Sequence, residues 1–192
     1  MELPAFKTAI PVFEELRGEH VLLRPYRAED ADELYAAIAA SRDHLRPFMP
    51  FADETEPQSR DWLARAMARW LLREALDVGV WEIASGRYVG GSGLTPHDWA
   101  LGSFEIGYWL RKDAEGQGFM TETARLLTDY AFASLGANRV QIRCDARNTR
   151  SAAVAERLGY VREARLRNVE RAADGSLRDT LVFALIPSDP RP

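Results

Sequence analysis

Seven residues, Glu115-Gly116-Gln117-Gly118-Phe119-Met120-Thr121, stand between an alternating apolar stretch and a long amphipathic one. Gly116 and Gly118 can take positive φ, which turns successive backbone N–H groups into one concavity, and a helix starting there adds the positive end of its macrodipole. The chemistry this suits is capture of an anion. Two familiar phosphate motifs fall short of the segment. A P-loop ends in Gly-Lys-Ser/Thr, a triplet absent from the chain. A dinucleotide fingerprint needs a third glycine where Thr121 stands, and no βαβ succession leads into the loop, although Asp145 could imitate the ribose-binding acid. Just upstream, Phe104, Ile106, Tyr108 and Leu110 alternate with Glu105, Gly107 and Trp109, so Glu105 can face a cleft.

The elements that must position these residues follow from periodicity. Residues 20 to 27 read as a first strand ended by Pro25, and Glu29 to Ala40 as a first helix. Arg42 to Arg60 reads as irregular, with Phe48 and Phe51 exposed, the kind of loop that carries a binding surface. Ser59 to Leu76 has the stripe of a second helix, through Trp62, Leu63, Ala66, Met67, Trp70 and Leu71. Gly79 to Ala84, Arg87 to Leu94 and Ser103 to Leu110 read as an antiparallel meander, the first pair joined at Ser85-Gly86. A helix is expected from about 117 to 135, capped by Gly136, then a strand from Arg139 to Asp145. A short helix from Thr149 to Leu158 ends at Gly159, and two strands, about 160 to 168 and Leu177 to Ile186, close the chain around a turn at Asp174-Gly175. This order predicts an α+β fold, a mixed central sheet of about seven strands flanked by about four helices.

Bulk properties narrow the function. A chain of 192 residues suits one domain, 1–192 with its core at about 18–187, able to bury roughly 70% of its unfolded surface. No apolar run approaches the roughly 20 residues of a membrane span, which predicts a soluble protein without a membrane partner. The start Met-Glu-Leu-Pro-Ala-Phe-Lys lacks the features of an export signal, and a lone Cys144 suits the reducing cytoplasm. A net charge of −4 argues against nucleic acid as partner and favours cationic acceptors. His20, His44 and His97 are scattered, so no metal site is expected. Cys144, on the apolar face of its strand, reads as a small buried hydrophobe rather than a nucleophile.

Three segments in series carry a resemblance: Phe104-Glu-Ile-Gly-Tyr-Trp-Leu, then Glu115-Gly-Gln-Gly-Phe-Met-Thr-Glu, then Asn148-x-x-Ser151 with Leu158-Gly159-Tyr160. Together they resemble a GNAT N-acetyltransferase of the RimJ/RimL type. His44-Leu-Arg-Pro-Phe-Met-Pro-Phe is similar to that subfamily's loop between its first two helices, and Arg178-Asp179-Thr180-Leu-Val-Phe to its closing strand, so the resemblance spans nearly the whole chain. It implies the GNAT fold and acetyl-CoA as cosubstrate, with its pyrophosphate held by Glu115, Gly116, Gln117, Gly118, Phe119, Met120 and Thr121. Two positions differ from the superfamily loop: Glu115 replaces Gln or Arg, and Met120 replaces Gly or Ala. A carboxylate beside pyrophosphate is repulsive unless the side chain turns away, so Arg111, Lys112 or Arg157 is expected to supply the positive charge.

Direct acetyl transfer, as the resemblance implies, sets three tasks: deprotonating the amine, donating to the oxyanion and protonating the departing thiolate. The family points to backbone N–H groups around Trp109 and Leu110, on a splayed strand, for the oxyanion, and to Asn148 for the pantetheine arm. The tyrosine acid of many members corresponds to Ala155 here; the serine of the RimJ/RimL type corresponds to Ser151, which could equally serve the first turn of its helix. Glu105 and Glu170, the latter matching a RimL-type carboxylate, are the candidate bases, each acting through a water. Arg162, Arg165, Arg167 and Arg171 read as a solvated face that could also hold CoA phosphates.

A protein α-amine of pKa roughly 7.7 to 8.0 costs about 1 kcal/mol to deprotonate at pH 7, against roughly 4.6 kcal/mol for lysine. A site without an evident histidine base therefore favours an α-amine. The expected reaction is acetylation of a protein N-terminal α-amine. A small amine such as a polyamine, amino acid or aminoglycoside, or a non-catalytic acyl-CoA-binding module, stays open, as does a homodimer.

Overall fold

The computed structural model describes residues 12–172 and 175–191. Eight strands form one sheet in the order β1-β2-β3-β4-β5-β6-β8-β7. They are β1 (Leu16–Arg17), β2 (Val21–Pro25), β3 (Leu76–Glu82), β4 (Tyr88–Asp98), β5 (Ser103–Leu110), β6 (Arg139–Asp145), β7 (Val161–Arg171) and β8 (Leu177–Leu185). The five α-helices among the described residues are α1 (Ala31–Ala40), α2 (Arg42–Leu45), α3 (Glu56–Leu72), α4 (Phe119–Ser134) and α5 (Thr149–Arg157). β5 and β6 pair in parallel, while every other neighbouring pair is antiparallel.

The alternation that marks each strand sorts its side chains to two faces. Phe104 and Ile106 of β5 join Leu127 and Ala131 of α4 and Ala155 of α5 in one buried cluster. Trp109 faces the other way, into a second cluster with Leu34 and Ile38 of α1 and Leu63 and Ala66 of α3. The sheet is thus covered on both faces, and β5 runs through its middle.

The α+β expectation holds, with one strand and one helix more than anticipated: the two-residue β1, and α2 inside the stretch read as irregular. The second helix begins at Glu56 rather than Ser59, because Pro57 occupies its first turn, where a missing N–H costs nothing, and Thr55 with Gln58 forms a capping box. It ends at Leu72, because Arg73 adopts φ 56, and Leu76 already belongs to β3. Of the expected turn at Asp174-Gly175, Asp174 lies outside the described residues, while Gly175 has φ 83. No helix among the described residues is long and apolar enough to cross a membrane.

Candidate active site

β5 and β6 pair from Ser103↔Arg139 to Ile106↔Ile142 and then part. β5 continues to Leu110 beside β4, and β6 to Asp145 beside β8. Backbone groups of residues 107–110 that point away from β4 therefore face a gap instead of a neighbouring strand. This is the splay expected around Trp109 and Leu110. One tie crosses it: Ser151 Oγ donates to Tyr108 Oη at 3.0 Å, and Tyr108 Oη donates to the Ser151 carbonyl at 3.1 Å. Burial raises the Tyr108 pKa against the opposing hydrogen bond with Ser151, so the phenol stays protonated. Ser151 does not cap its own helix; Asn148 does, its Oδ1 accepting from Ser151 N at 3.1 Å.

Two cavities meet at this gap. The larger, about 1200 Å³, runs along residues 115–122 and the first turns of α5. The smaller, about 460 Å³, opens on the other side between the loop at Phe48 to Phe51 and the ends of β6, β7 and β8. Phe48, Met49, Tyr108, Trp109, Asn148 and Ser151 line both.

In the larger cavity Gly116 and Gly118 take φ 76 and φ 80, and an added Cβ at either would meet nothing within 4 Å. Gly118 precedes α4 without a side-chain cap, so the first N–H groups of that helix are left to an anion. Arg125, Arg147, Arg150 and Arg157 line the same cavity. The Glu115 side chain turns to one of these and to two further groups: Oε1 accepts from Arg150 Nη1 at 2.7 Å, Oε2 accepts from Lys112 Nζ at 2.6 Å, and His44 Nε2 lies 3.4 Å from Oε1. Burial pushes the Glu115 pKa up, but the Lys112 hydrogen bond and the charges of His44 and Arg150 bring it below the usual carboxylate range. Burial lowers the pKa of His44, outweighing the attraction of Glu115.

In the smaller cavity Glu105 Oε2 accepts from Gln141 Nε2 at 2.8 Å and lies 3.0 Å from His97 Nε2. Glu170 accepts from Arg178 Nη2 at 3.0 Å and from Thr180 Oγ1 at 3.3 Å. Arg178 Nη1 also reaches the Pro47 carbonyl at 3.3 Å and Asp145 Oδ2 at 3.4 Å. One guanidinium thus joins the loop over the cavity to three strands. Burial raises Asp145, yet Arg147 and Arg178 bring its pKa below the ordinary value.

Leu110, Glu115, Gly116, Gln117, Gly118, Phe119, Met120, Thr121 and Arg157 line the larger cavity, Glu105 and Glu170 the smaller, and Trp109, Asn148 and Ser151 both. Arg111 departs from expectation: its guanidinium is held by Asp113 at 3.0 Å and does not line the cavity, and Lys112 points to Glu115 instead. Arg162, Arg165, Arg167 and Arg171 lie on exposed β7 positions and line neither cavity. Cys144 is 9% exposed, and burial raises its thiol pKa despite a hydrogen bond with Ser151. The sequence reading missed Tyr108 as the partner of Ser151, and Arg178 as the hub of the smaller cavity. For the second, the expected Asp174-Gly175 turn would set Glu170 opposite Asp179, and the observed register sets it opposite Arg178 instead.

Residues 20–161 match the model of the acetyltransferase (GNAT) domain family. YdaF of Bacillus subtilis (strain 168), provisionally named a ribosomal N-acetyltransferase, is 32% identical over 88% of this chain and 92% of its own. A crystal structure of a probable acetyltransferase superposes with a TM-score of 0.82 at 27% identity, covering 90% of this chain and 97% of that one. RimL, a ribosomal α-N-protein acetyltransferase solved with coenzyme A, shares the fold with a TM-score of 0.80 at 21% identity, covering 92% and 97% of the two chains. The anion nest, the splayed strands and the family match converge on one statement: this chain belongs to the GNAT acetyltransferase family and is an acetyl-CoA-dependent N-acetyltransferase of that type.

Proposed function

We propose that the enzyme acetylates a protein N-terminal α-amine in the cytoplasm. The observation that carries the reading is the meeting of the two cavities at Tyr108 and Ser151, beside backbone donors that β6 does not pair. The larger cavity takes acetyl-CoA, whose thioester supplies the activated acetyl group. Backbone N–H groups at 116–121 bind its pyrophosphate, with Arg125, Arg150 and Arg157 adding charge. N–H groups near Trp109 and Leu110 donate to the carbonyl oxygen as it gains charge. Asn148 orients the pantetheine arm. Ser151 turns its hydroxyl proton from Tyr108 to the departing thiolate, and Tyr108 turns its own proton from the Ser151 carbonyl to the serine oxygen, which holds that serine in place.

The smaller cavity takes the acceptor. Phe48, Phe51 and Trp62 flank an opening suited to a peptide end. Glu105 or Glu170 accepts the amine proton through a water, a modest demand for an α-amine, whose deprotonation at pH 7 costs about 1 kcal/mol. The sequence similarity to YdaF, itself provisionally named a ribosomal N-acetyltransferase, and the fold shared with RimL support a protein acceptor.

Thiol release from acetyl-CoA, followed across N-terminal peptides, polyamines and aminoglycosides, tests the proposal. Peptides are expected to turn over fastest, and faster release with a small amine would replace the acceptor. Ser151→Ala, Glu105→Gln and Glu170→Gln, made separately, are expected to include at least one loss of roughly 100-fold or more in kcat. Unchanged turnover in all three would remove the catalytic assignment, and no thermal stabilisation by acetyl-CoA would remove the cofactor site.

A further inference from the structure

Asp77 on β3, Gly93 on β4 and Gly107 on β5 stand in register, Asp77↔Gly93 and Gly93↔Gly107. Register partners share a face of the sheet, and all three line the smaller cavity. The row ends at the edge of β5 from which β6 has parted. Two strand spacings separate Gly107 from Asp77, on the order of 10 Å. Backbone floors that lane: an added Cβ at Gly107 would meet nothing within 4 Å. At Gly93 it would lie 3.0 Å from the Leu76 carbonyl, 3.1 Å from Asp77 Cα and 3.4 Å from Asp77 Oδ1, so β3 closes over this position and brings the Asp77 carboxylate to the lane. Arg69 binds the other oxygen, Oδ2, through Nε at 3.0 Å and Nη2 at 2.9 Å. The rings of Tyr26, Phe51, Trp62 and Trp109 line the same cavity. An acetylated amine needs none of these groups, because its nitrogen reacts at the splay.

We propose that this lane is a second subsite of the acceptor cavity, in which Asp77 and the surrounding rings bind a cationic group carried on the order of 10 Å from the reacting amine. The proposal rests on the N-terminal acceptor reading and adds its side-chain chemistry: a basic residue next to the acetylated one. A lysine in the second position of an extended peptide holds its ammonium at about that distance from the α-nitrogen. A triamine presents the same chemistry. Gly107 determines specificity by its lack of a side chain, since a Cβ there meets nothing and a larger residue extends into the lane, whereas Gly93 is held to glycine by the Leu76 carbonyl 3.0 Å from where its Cβ would stand.

The test is calorimetric binding to the CoA-saturated protein, which reads the lane whether or not turnover occurs. Two tetrapeptides are compared that differ in their second residue, lysine or norleucine, and spermidine is compared with butylamine. Tighter binding of the lysine peptide by about tenfold is expected, falling towards equality in Asp77→Asn and in Gly107→Val. Acetyl-CoA should still raise the melting temperature of both variants, a check on folding; Gly107→Val carries the test should Asp77→Asn fail to fold. Equal binding of the two peptides together with equal binding of the two amines, or a preference untouched by Gly107→Val, overturns the lane. A preference for spermidine without one for the lysine peptide supports the lane and overturns the peptide reading of the acceptor.

Discussion

Glu115 is the loop residue that an anionic ligand does not explain, and its contacts supply a physical account. Its carboxylate holds Lys112, Arg150 and His44, from three separate segments, around the mouth of the anion nest. Any phosphate arriving there competes with it for Lys112 and Arg150. Glu115→Gln keeps a hydrogen-bond acceptor and removes the charge, so the KM for acetyl-CoA should fall by about fivefold, equivalent to about 1 kcal/mol. Screening should erase most of that gain in 1 M salt, where the Debye length is about 3 Å. An unchanged or raised KM at low salt would mean that Glu115 helps cofactor binding by holding its partners in place. The glycine nest was legible in sequence because its geometry depends on neighbouring residues. The surroundings of Glu115 were not, since His44 reaches it from a segment 71 positions away in the chain. Tyr108 was assigned to the correct face of its strand, but its bond to Ser151 depends on where α5 docks, which no local spacing encodes.

At the scale of elements, α5 depends on the residue that caps it, Asn148. Asn148→Ala should lower stability by about 1 kcal/mol through loss of the cap, and because Ser151 N is the capped group, kcat should fall with it. Asn148→Asp keeps the cap and adds a charge beside the anion site, so stability should persist while the KM for acetyl-CoA rises. Denaturant midpoints and steady-state kinetics separate the two effects. Elements with strict alternation were the most legible: β5 and β6 begin and end where their patterns predict. Boundaries set by a single backbone conformation were hidden. Arg73 stops α3 at φ 56 although it is not glycine, and a tertiary pairing with two residues of β2 is what makes Leu16–Arg17 a strand.

The whole molecule is a two-faced sheet interrupted at its centre. Amides of residues 107–110 that point into the gap lack the strand partner that shields their neighbours, so they should exchange hydrogen quickly in the free protein and slow when acetyl-CoA fills the gap. Equal protection in both states would argue that the cofactor lies elsewhere. Beyond the residues that line both cavities, the two substrates meet different parts of the chain: the nest belongs to the β5–α4 junction, whereas the acceptor side adds the β3–β5 lane, the loop after α2 and the final hairpin. Arg178, bonded to the Pro47 carbonyl, Asp145 and Glu170, fastens that loop to that hairpin. Loop and hairpin therefore form one clasped unit: grafted together from a relative they travel with their shared clasp intact, whereas a hairpin grafted alone keeps Arg178 on Glu170 and Asp145 but forfeits its hold on the Pro47 carbonyl.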